Sequence, residues 1–243
     1  MKTVIVTGSC GLVGSESVSF FSKKGFQVIG IDNNSRKLFF GKDGDITWIK
    51  SKLLREIKNY SHYNTDIKNF NLLKKIFIKY KKNIKLIIHC AAQPSHDWAK
   101  DRPFVDFQIN AQGTLNLLEL TKKYCRQSPF IFMSTNKVYG DNPNFLPLVE
   151  KKTRWEIKKN HKYFKGIDET MSVDDCTHSF FGVSKSYADL LVQEYGKNAG
   201  LKTVCFRAGC ITGPNHSGAK LHGFLAYLVK ISLTKKKIHF NRI

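Results

Sequence analysis

The sequence predicts an α/β fold, a doubly wound parallel sheet, from three observations. Short apolar runs alternate with helical segments along most of the chain, the pattern of a parallel sheet covered on both faces. A glycine turn, Gly8, Gly11 and Gly14, joins the first apolar run, Val4-Ile5-Val6, to a helix that runs from Leu12 to about Lys24, where Gly25 stops it. An acid, Asp32, closes the second apolar run, Phe26 to Ile31.

Strand, glycine turn, helix, strand and an acid about twenty residues on make a Rossmann-type dinucleotide site. The glycines let the backbone turn tightly and approach a pyrophosphate. The helix N-terminus offers that anion free N–H groups and the positive end of a dipole. Asp32 is placed to accept from an adenosine ribose, and its charge favours NAD by repelling the 2′-phosphate of NADP. Arg36 and Lys37 lie close behind and bear on the same choice.

Residues 33–50 read as a long irregular stretch with an exposed Phe39-Phe40. Tyr60 to Asn64 reads as the third strand, leading to Asp66, which serves either the adenine or the start of a helix beginning near Asn69. Leu86-Ile87-Ile88 is a buried strand that runs into Cys90-Ala91-Ala92-Gln93, small residues against which a cofactor can lie. Pro103 to about Cys125 has helical spacing, with Asn110 set in its apolar face as a bracket or a site residue. Phe130 to Met133 is the fifth strand and ends in the hydroxyls Ser134 and Thr135, at the carboxyl edge where open α/β sheets bind ligands. Residues 143–175 are polar and irregular and are expected over the cofactor cleft. A helix from about Ser179 to Asn198, a sixth strand at Thr203 to Phe206, a turn at residues 213–218 and an apolar helix from Leu221 to about Leu233 complete the reading. It divides the chain into a cofactor domain, 1–210, and the start of a substrate lobe, 211–243.

At 243 residues the chain can bury a full α/β core. No run of about 18 apolar residues appears, so no membrane span is expected, and the first strand leaves no room for a signal peptide. The six cysteines are scattered with no Cys-x-x-Cys pair, as expected of reduced thiols in a cytoplasmic protein with no metal site. The net charge is +21, yet 33 of the 40 basic residues are lysines spread along the chain. That distribution reads as a solvated surface with nonspecific attraction to nucleic acid, since arginine carries most base and bidentate phosphate recognition.

The glycine spacing and the stretches 134–141 (STNKVYGD), 178–185 (HSFFGVSK), 31–37 and 110–119 resemble the NAD-dependent epimerase/dehydratase family of the extended short-chain dehydrogenase/reductases, and among them the CDP-paratose (CDP-tyvelose) 2-epimerases. The resemblance implies a nucleotide-sugar epimerase, an isomerase of polysaccharide biosynthesis, with NAD as cofactor. A sugar carbon is transiently oxidised, the keto sugar turns, and the hydride returns to its other face. It assigns Gly8, Gly11, Leu12, Gly14, Asp32, Asn33, Asp66, Ile67, Ala91, Ala92, Gln93, Asn110, Ser134 and Lys185 to the cofactor. Thr135 and Lys185 match two members of the catalytic triad, and Thr135, Asn136, His216 and His222 fall to the substrate. A homo-oligomer is a further expectation.

Two departures stand out. The triad tyrosine, four residues before the lysine, is Phe181, which has no proton to exchange. Tyr187 lies on another helix face. His96, just past the fourth strand and with a pKa suited to neutral pH, is the candidate replacement, against a plain surface histidine. The chain also ends where another strand begins near Ile238, so the substrate lobe is read as truncated. The alternatives are a dehydratase on the same scaffold and a non-catalytic NAD- or RNA-binding protein.

Overall fold

The computed structural model describes residues 1–220 and 222–234. Six strands, all parallel, lie in the order β3-β2-β1-β4-β5-β8. They are β1 (Thr3–Thr7), β2 (Gln27–Ile31), β3 (Tyr60–Tyr63), β4 (Ile84–His89), β5 (Phe130–Thr135) and β8 (Thr203–Ala208). The chain leaves β1 to build one half of the sheet and returns beside β1 with β4 to build the other. The carboxyl ends of β1 and β4 therefore flank the crevice where such sheets take ligands.

The alternation of side chains along a strand splits the core in two. Val4, Val6, Val28 and Ile88 face α1 (Leu12–Lys23) and α3 (Thr47–Glu56) through Val18, Ile49 and Leu53. Ile5, Ile29, Ile87, Phe130 and Phe132 face the opposite layer, α4 (Phe70–Tyr80), α7 (Gly113–Tyr124) and α8 (Phe180–Lys197), through Phe77, Leu117 and Val192. Because both faces are covered, the strands read as unbroken apolar runs rather than as alternation.

Several expectations are corrected. Residues 33–50 are largely helical: α2 (Ser35–Phe40), a 3₁₀ turn (Gly41–Gly44) and the start of α3. Phe39 and Phe40 are half-buried, against Trp98 (ring centroids 4.9 Å apart) and His222 (5.4 Å). The helix expected from Pro103 is α6 (Pro103–Phe107), a π turn (Gln108–Gln112) and α7. Asp66 is not the N-cap of α4. Asn69 is, accepting from Leu72 N at 3.0 Å, while Asp66 accepts from Lys68 N and Asn33 Nδ2. Residues 143–175 do not cover the large cleft: they hold a small antiparallel hairpin, β6 (Leu148–Glu150) and β7 (Trp155–Ile157), beside a separate core of Val138, Tyr139, Tyr163 and Met171. The last helix, α9, spans Phe224–Leu233, and the expected strand near Ile238 lies outside the described residues. No described helix is long and apolar enough to cross a membrane.

Candidate active site

A cleft of about 660 Å³ opens over the carboxyl ends of β1, β2, β4 and β5. Its floor is the glycine turn. Gly8 has φ +64°, and a Cβ there would lie 2.7 Å from Ala91 N; one on Gly14 would lie 2.0 Å from Gly8 O. Gly8 is thus required by the crossing of the β4 exit, and Gly14 by the seating of α1 on the turn. α1 has no side-chain cap. The N–H groups of Leu12, Val13 and Gly14 have no protein acceptor among the described residues and face the cleft. This cradle fits a pyrophosphate. Asp32 is held by the backbone: its Oδ2 accepts from Cys10 N (3.0 Å) and its Oδ1 from Asn34 N (2.9 Å). Burial pushes its carboxyl up and those N–H groups pull it back. Each oxygen keeps a lone pair for a ribose hydroxyl.

Asn33, Asp66, Ile67, Ala91 and Ala92 also line the cleft, as do Ser134, Thr135, Asn136, His96, His216 and His222. Gln93 and Asn110 do not. Both are buried beneath the wall, where Gln93 N donates to Asn110 Oδ1 (2.9 Å) and Asn110 Nδ2 reaches Asp106 Oδ1 and Ser184 Oγ, each at 3.0 Å. They bracket the β4 exit, the π turn and α8. Against their expected contact with the cofactor, both hold supporting places, because their side-chain amides are spent on protein partners: Gln93 on Ser95 and Asp106, Asn110 on the Gln93 backbone, Asp106 and Ser184.

Ser179 caps α8, accepting from Gly182 N at 3.0 Å. The helix carries Phe181 and Lys185 on one face at i and i+4, and both line the cleft, whereas Tyr187 does not. The Lys185 ammonium donates to Met133 O at 2.9 Å and lies 4.2 Å from the Phe132 ring centroid. Burial lowers its pKa to about 8, while Cys90 and Asp189 act to raise it. Ser134 is turned away from the cleft centre, donating to Asp189. Thr135 caps the next turn through Lys137 N (3.2 Å), its hydroxyl hydrogen directed to Asn136 Oδ1 (3.3 Å). His96 opens α5 (His96–Asp101) on an exposed rim, its ring centroid 4.8 Å from that of Phe181 and its Nδ1 3.0 Å from Ser179 Oγ.

Sequence reasoning passed over two buried devices. Thr7 Oγ1, His89 and Thr114 Oγ1 form a chain (2.7 and 2.9 Å) joining β1, β4 and α7. Thr114 donates onward to Asn110 O, so His89 Nε2 carries the proton and Nδ1 accepts from Thr7. Asp189 and Arg207 form the second, an ion pair at 2.8 Å beneath the β5–β8 edge. Both residues were visible, but nothing local announces partners so far away.

The model of the NAD dependent epimerase/dehydratase family matches residues 4–241. The chain belongs to this family. It is 35% identical over 210 residues to the CDP-paratose 2-epimerase of Salmonella typhi, covering 86% of this chain and 57% of that protein. It is 34% identical over 146 residues to the UDP-glucuronate 4-epimerase of Thermodesulfobacterium geofontis (60% of this chain, 43% of the relative). Among solved structures, the Thermus thermophilus UDP-glucose 4-epimerase in complex with NAD superposes with a TM-score of 0.72 at 23% identity, over 97% of this chain and 64% of that one. The family member described here therefore spans less than two thirds of these relatives.

Buried charge at Lys185 sets a measurable balance. Its folded pKa, about 8, lies below the ordinary 10.5, so the unfolded chain binds the proton more tightly. The penalty of burying the ammonium is full below about 8 and fades as pH rises through the interval to 10.5. Lys185→Met is expected to stabilise the fold by roughly 1–3 kcal/mol below that interval, with the gain shrinking above it. Denaturant midpoints at the two ends test this; a variant less stable than wild type at neutral pH refutes it.

Proposed function

We propose that this family member is an NAD-dependent epimerase of a nucleotide-activated sugar, with proton transfer moved from position 181 to His96. The observation that carries the reading is the buried Lys185 ammonium at the β5 end, in the same cleft as Thr135 and the glycine turn. NAD, when bound, supplies the two-electron acceptor and donor. Leu12, Val13 and Gly14 would hold its pyrophosphate and Asp32 its adenosine ribose, with Asn33, Asp66, Ile67, Ala91 and Ala92 supplying the rest of the wall for it. Lys185 holds the nicotinamide ribose and supplies positive charge. Thr135 and Asn136 orient the sugar hydroxyl. His96 accepts the proton that leaves it and returns it when the sugar is reduced again.

Chemistry favours epimerisation over the dehydratase alternative. Elimination of water needs an acid for the departing hydroxyl and a base for the C–H. The carboxylates lining the cleft, Asp32 and Asp66, sit at its adenosine end, and Asn136 and Lys137 follow Thr135 where an acid would serve. The likeness to a CDP-paratose 2-epimerase supports a CDP-sugar as the first substrate to test. Residues 1–210 serve as cofactor domain and 211–243 as the start of the substrate lobe. The six free thiols fit a cytoplasmic location.

The test is a titration of the purified protein with NAD and NADP, followed by NMR of CDP- and UDP-sugars incubated with it. NADP is expected to bind at least about tenfold more weakly, because Asp32 repels the 2′-phosphate. Equal binding of the two cofactors defeats the selectivity, and binding of neither defeats the reading.

A further inference from the structure

At the reaction end of the cleft, the proposed chemistry needs a donor for one oxygen. As the sugar hydroxyl loses its proton, negative charge gathers on that oxygen, and a positioned donor stabilises it more than it stabilises the starting alcohol. The side chains nearby are mostly spent. Phe181 has no O–H to offer. Thr135 Oγ1 directs its hydrogen to Asn136 Oδ1, and Ser134 donates to Asp189. Lys185 is 3% exposed, gives a hydrogen to Met133 O at 2.9 Å, and belongs to the nicotinamide ribose in the proposed function. His96 has its Nδ1 on Ser179 Oγ and is itself the acceptor of the proton.

Lys137 remains. β5 ends at Thr135, and the 3₁₀ turn that follows, Asn136–Tyr139, carries it. Its backbone is pinned: the N–H donates to Thr135 Oγ1 (3.2 Å), and the carbonyl accepts from Gly140 N (3.1 Å) and lies 3.2 Å from His178 Nδ1. The residue is exposed and pairs with no carboxylate among the described residues. His96, Asn136 and Lys137 line both the main cleft and an adjoining cavity of about 250 Å³, and so form a sill between the two. Asp141, which also lines that second cavity, accepts from Thr177 N at 2.9 Å rather than pairing with Lys137. The Lys137 charge reaches the His96 ring. An ammonium not tied to a carboxylate keeps its hydrogens for a ligand.

We propose that Lys137 is a catalytic residue of the epimerisation, donating a hydrogen bond to the sugar oxygen while that oxygen gives up and regains its proton. The proposal rests on the epimerase reading above and supplies the donor that reading lacks. Lys137 transfers nothing itself. The O–H proton passes to His96, the C–H hydride passes to the cofactor, and the oxygen's freed pair closes the C=O bond; proton and hydride return when the ketone is reduced. Asn136 offers an amide beside it, but a neutral donor answers a developing charge about half as strongly as a charged one.

The experiment pairs NMR of nucleotide-sugar turnover across pH with NMR titration of the His96 ring in the protein without sugar. Lys137→Met should lower kcat roughly ten- to a hundredfold on the high-pH plateau and change KM less than about threefold, and Lys137→Arg should recover most of the loss. The loss is expected to be smaller than at a buried oxyanion donor because this ammonium reaches solvent. The His96 titration should move to higher pH in Lys137→Met, since a positive neighbour has gone, and stay near its wild-type place in Lys137→Arg. Wild-type kcat in Lys137→Met overturns the proposal, as does a raised KM at unchanged kcat, which would leave Lys137 a binding group alone. So does a loss that vanishes on the plateau, where His96 is neutral in either protein, because Lys137 would then act only through His96. An unmoved His96 titration takes the ammonium away from the sill and the proposal with it. A wild type that turns over no nucleotide sugar overturns the epimerase reading together with this one, while the His96 titration reports separately whether the charge stands at the sill.

Discussion

His96→Ala is expected to lower turnover by roughly 10²–10⁴, about 3–5 kcal/mol of barrier, and to leave NAD affinity nearly unchanged. Under the proposed function Phe181 stands where the resemblance expects the proton-transferring tyrosine, and its side chain is 7% exposed with no titratable atom. The nearest imidazole is that of His96, packed against it. Ser179 Oγ has two lone pairs: one takes Gly182 N–H, and the other can take His96 Nδ1–H, which leaves Nε2 free to accept a proton. Burial and the nearby Lys137 ammonium hold the His96 pKa below its ordinary value, with Asp97 opposing. The ring is therefore neutral at neutral pH, and turnover should rise with pH through the His96 pKa to a plateau. Phe181→Tyr should gain little if the site is built around His96. NMR of nucleotide-sugar turnover decides it. Wild-type rates in His96→Ala remove His96 from the mechanism. An inactive wild type rescued by Phe181→Tyr rejects a substitute base altogether.

The second large effect is structural. Asp189→Ala is expected to destabilise the fold by about 3–5 kcal/mol, a third or more of a typical domain's stability. Asp189 is 1% exposed and accepts from Arg207 Nη2 (2.8 Å) and Nε (3.2 Å), from Gln193 Nε2 (2.7 Å) and from Ser134 Oγ. Removing it leaves a half-buried guanidinium unpaired and the Ser134 hydroxyl without its acceptor at the β5 end. Burial raises the Asp189 pKa, but the Arg207 and Ser134 hydrogen bonds outweigh it and hold the carboxyl below its ordinary range. Its contribution is accordingly full above the unfolded value near 3.8 and is lost as pH falls through the lower folded value. Replacing both partners, Asp189→Leu with Arg207→Met, should recover most of the loss, since an apolar pair strands no charge. Urea denaturation checks both variants. A change under about 1 kcal/mol for Asp189→Ala would show that solvent reaches the pair.

The glycine turn, the buried strands and the Ser179-capped helix could be read because their signals are local: a spacing, an apolar run, a capping side chain. Gln93 and Asn110 mark the limit. A polar residue just past a strand end, or within an apolar helix face, has the same identity whether its amide meets a ligand or another amide. Its direction is set by Asp106 and Ser184, residues elsewhere in the chain. Phe39 and Phe40 looked exposed for the same reason, since Trp98 and His222, which cover them, are distant in sequence. The π turn at residues 108–112 could not be read, because one extra residue per turn leaves the apolar spacing almost unchanged over so short a run.

The segment between β8 and α9 closes the outer wall of the cleft by reaching back to the first quarter of the chain. Asn215 donates to Glu16 across 199 residues, and Arg36 to Ser217 across 181. Contacts so remote repay their loop-closure entropy only after the sheet between them has formed. On a ribosome, the glycine cradle is synthesised early and stands open until these residues emerge. In the finished protein the same wall is held by a few hydrogen bonds, while the sheet beneath it is held by a full core. This wall is therefore expected to open before the sheet does, at less free energy than global unfolding, and faster amide hydrogen exchange in the segment between β8 and α9 than in β1 and β4 would check it.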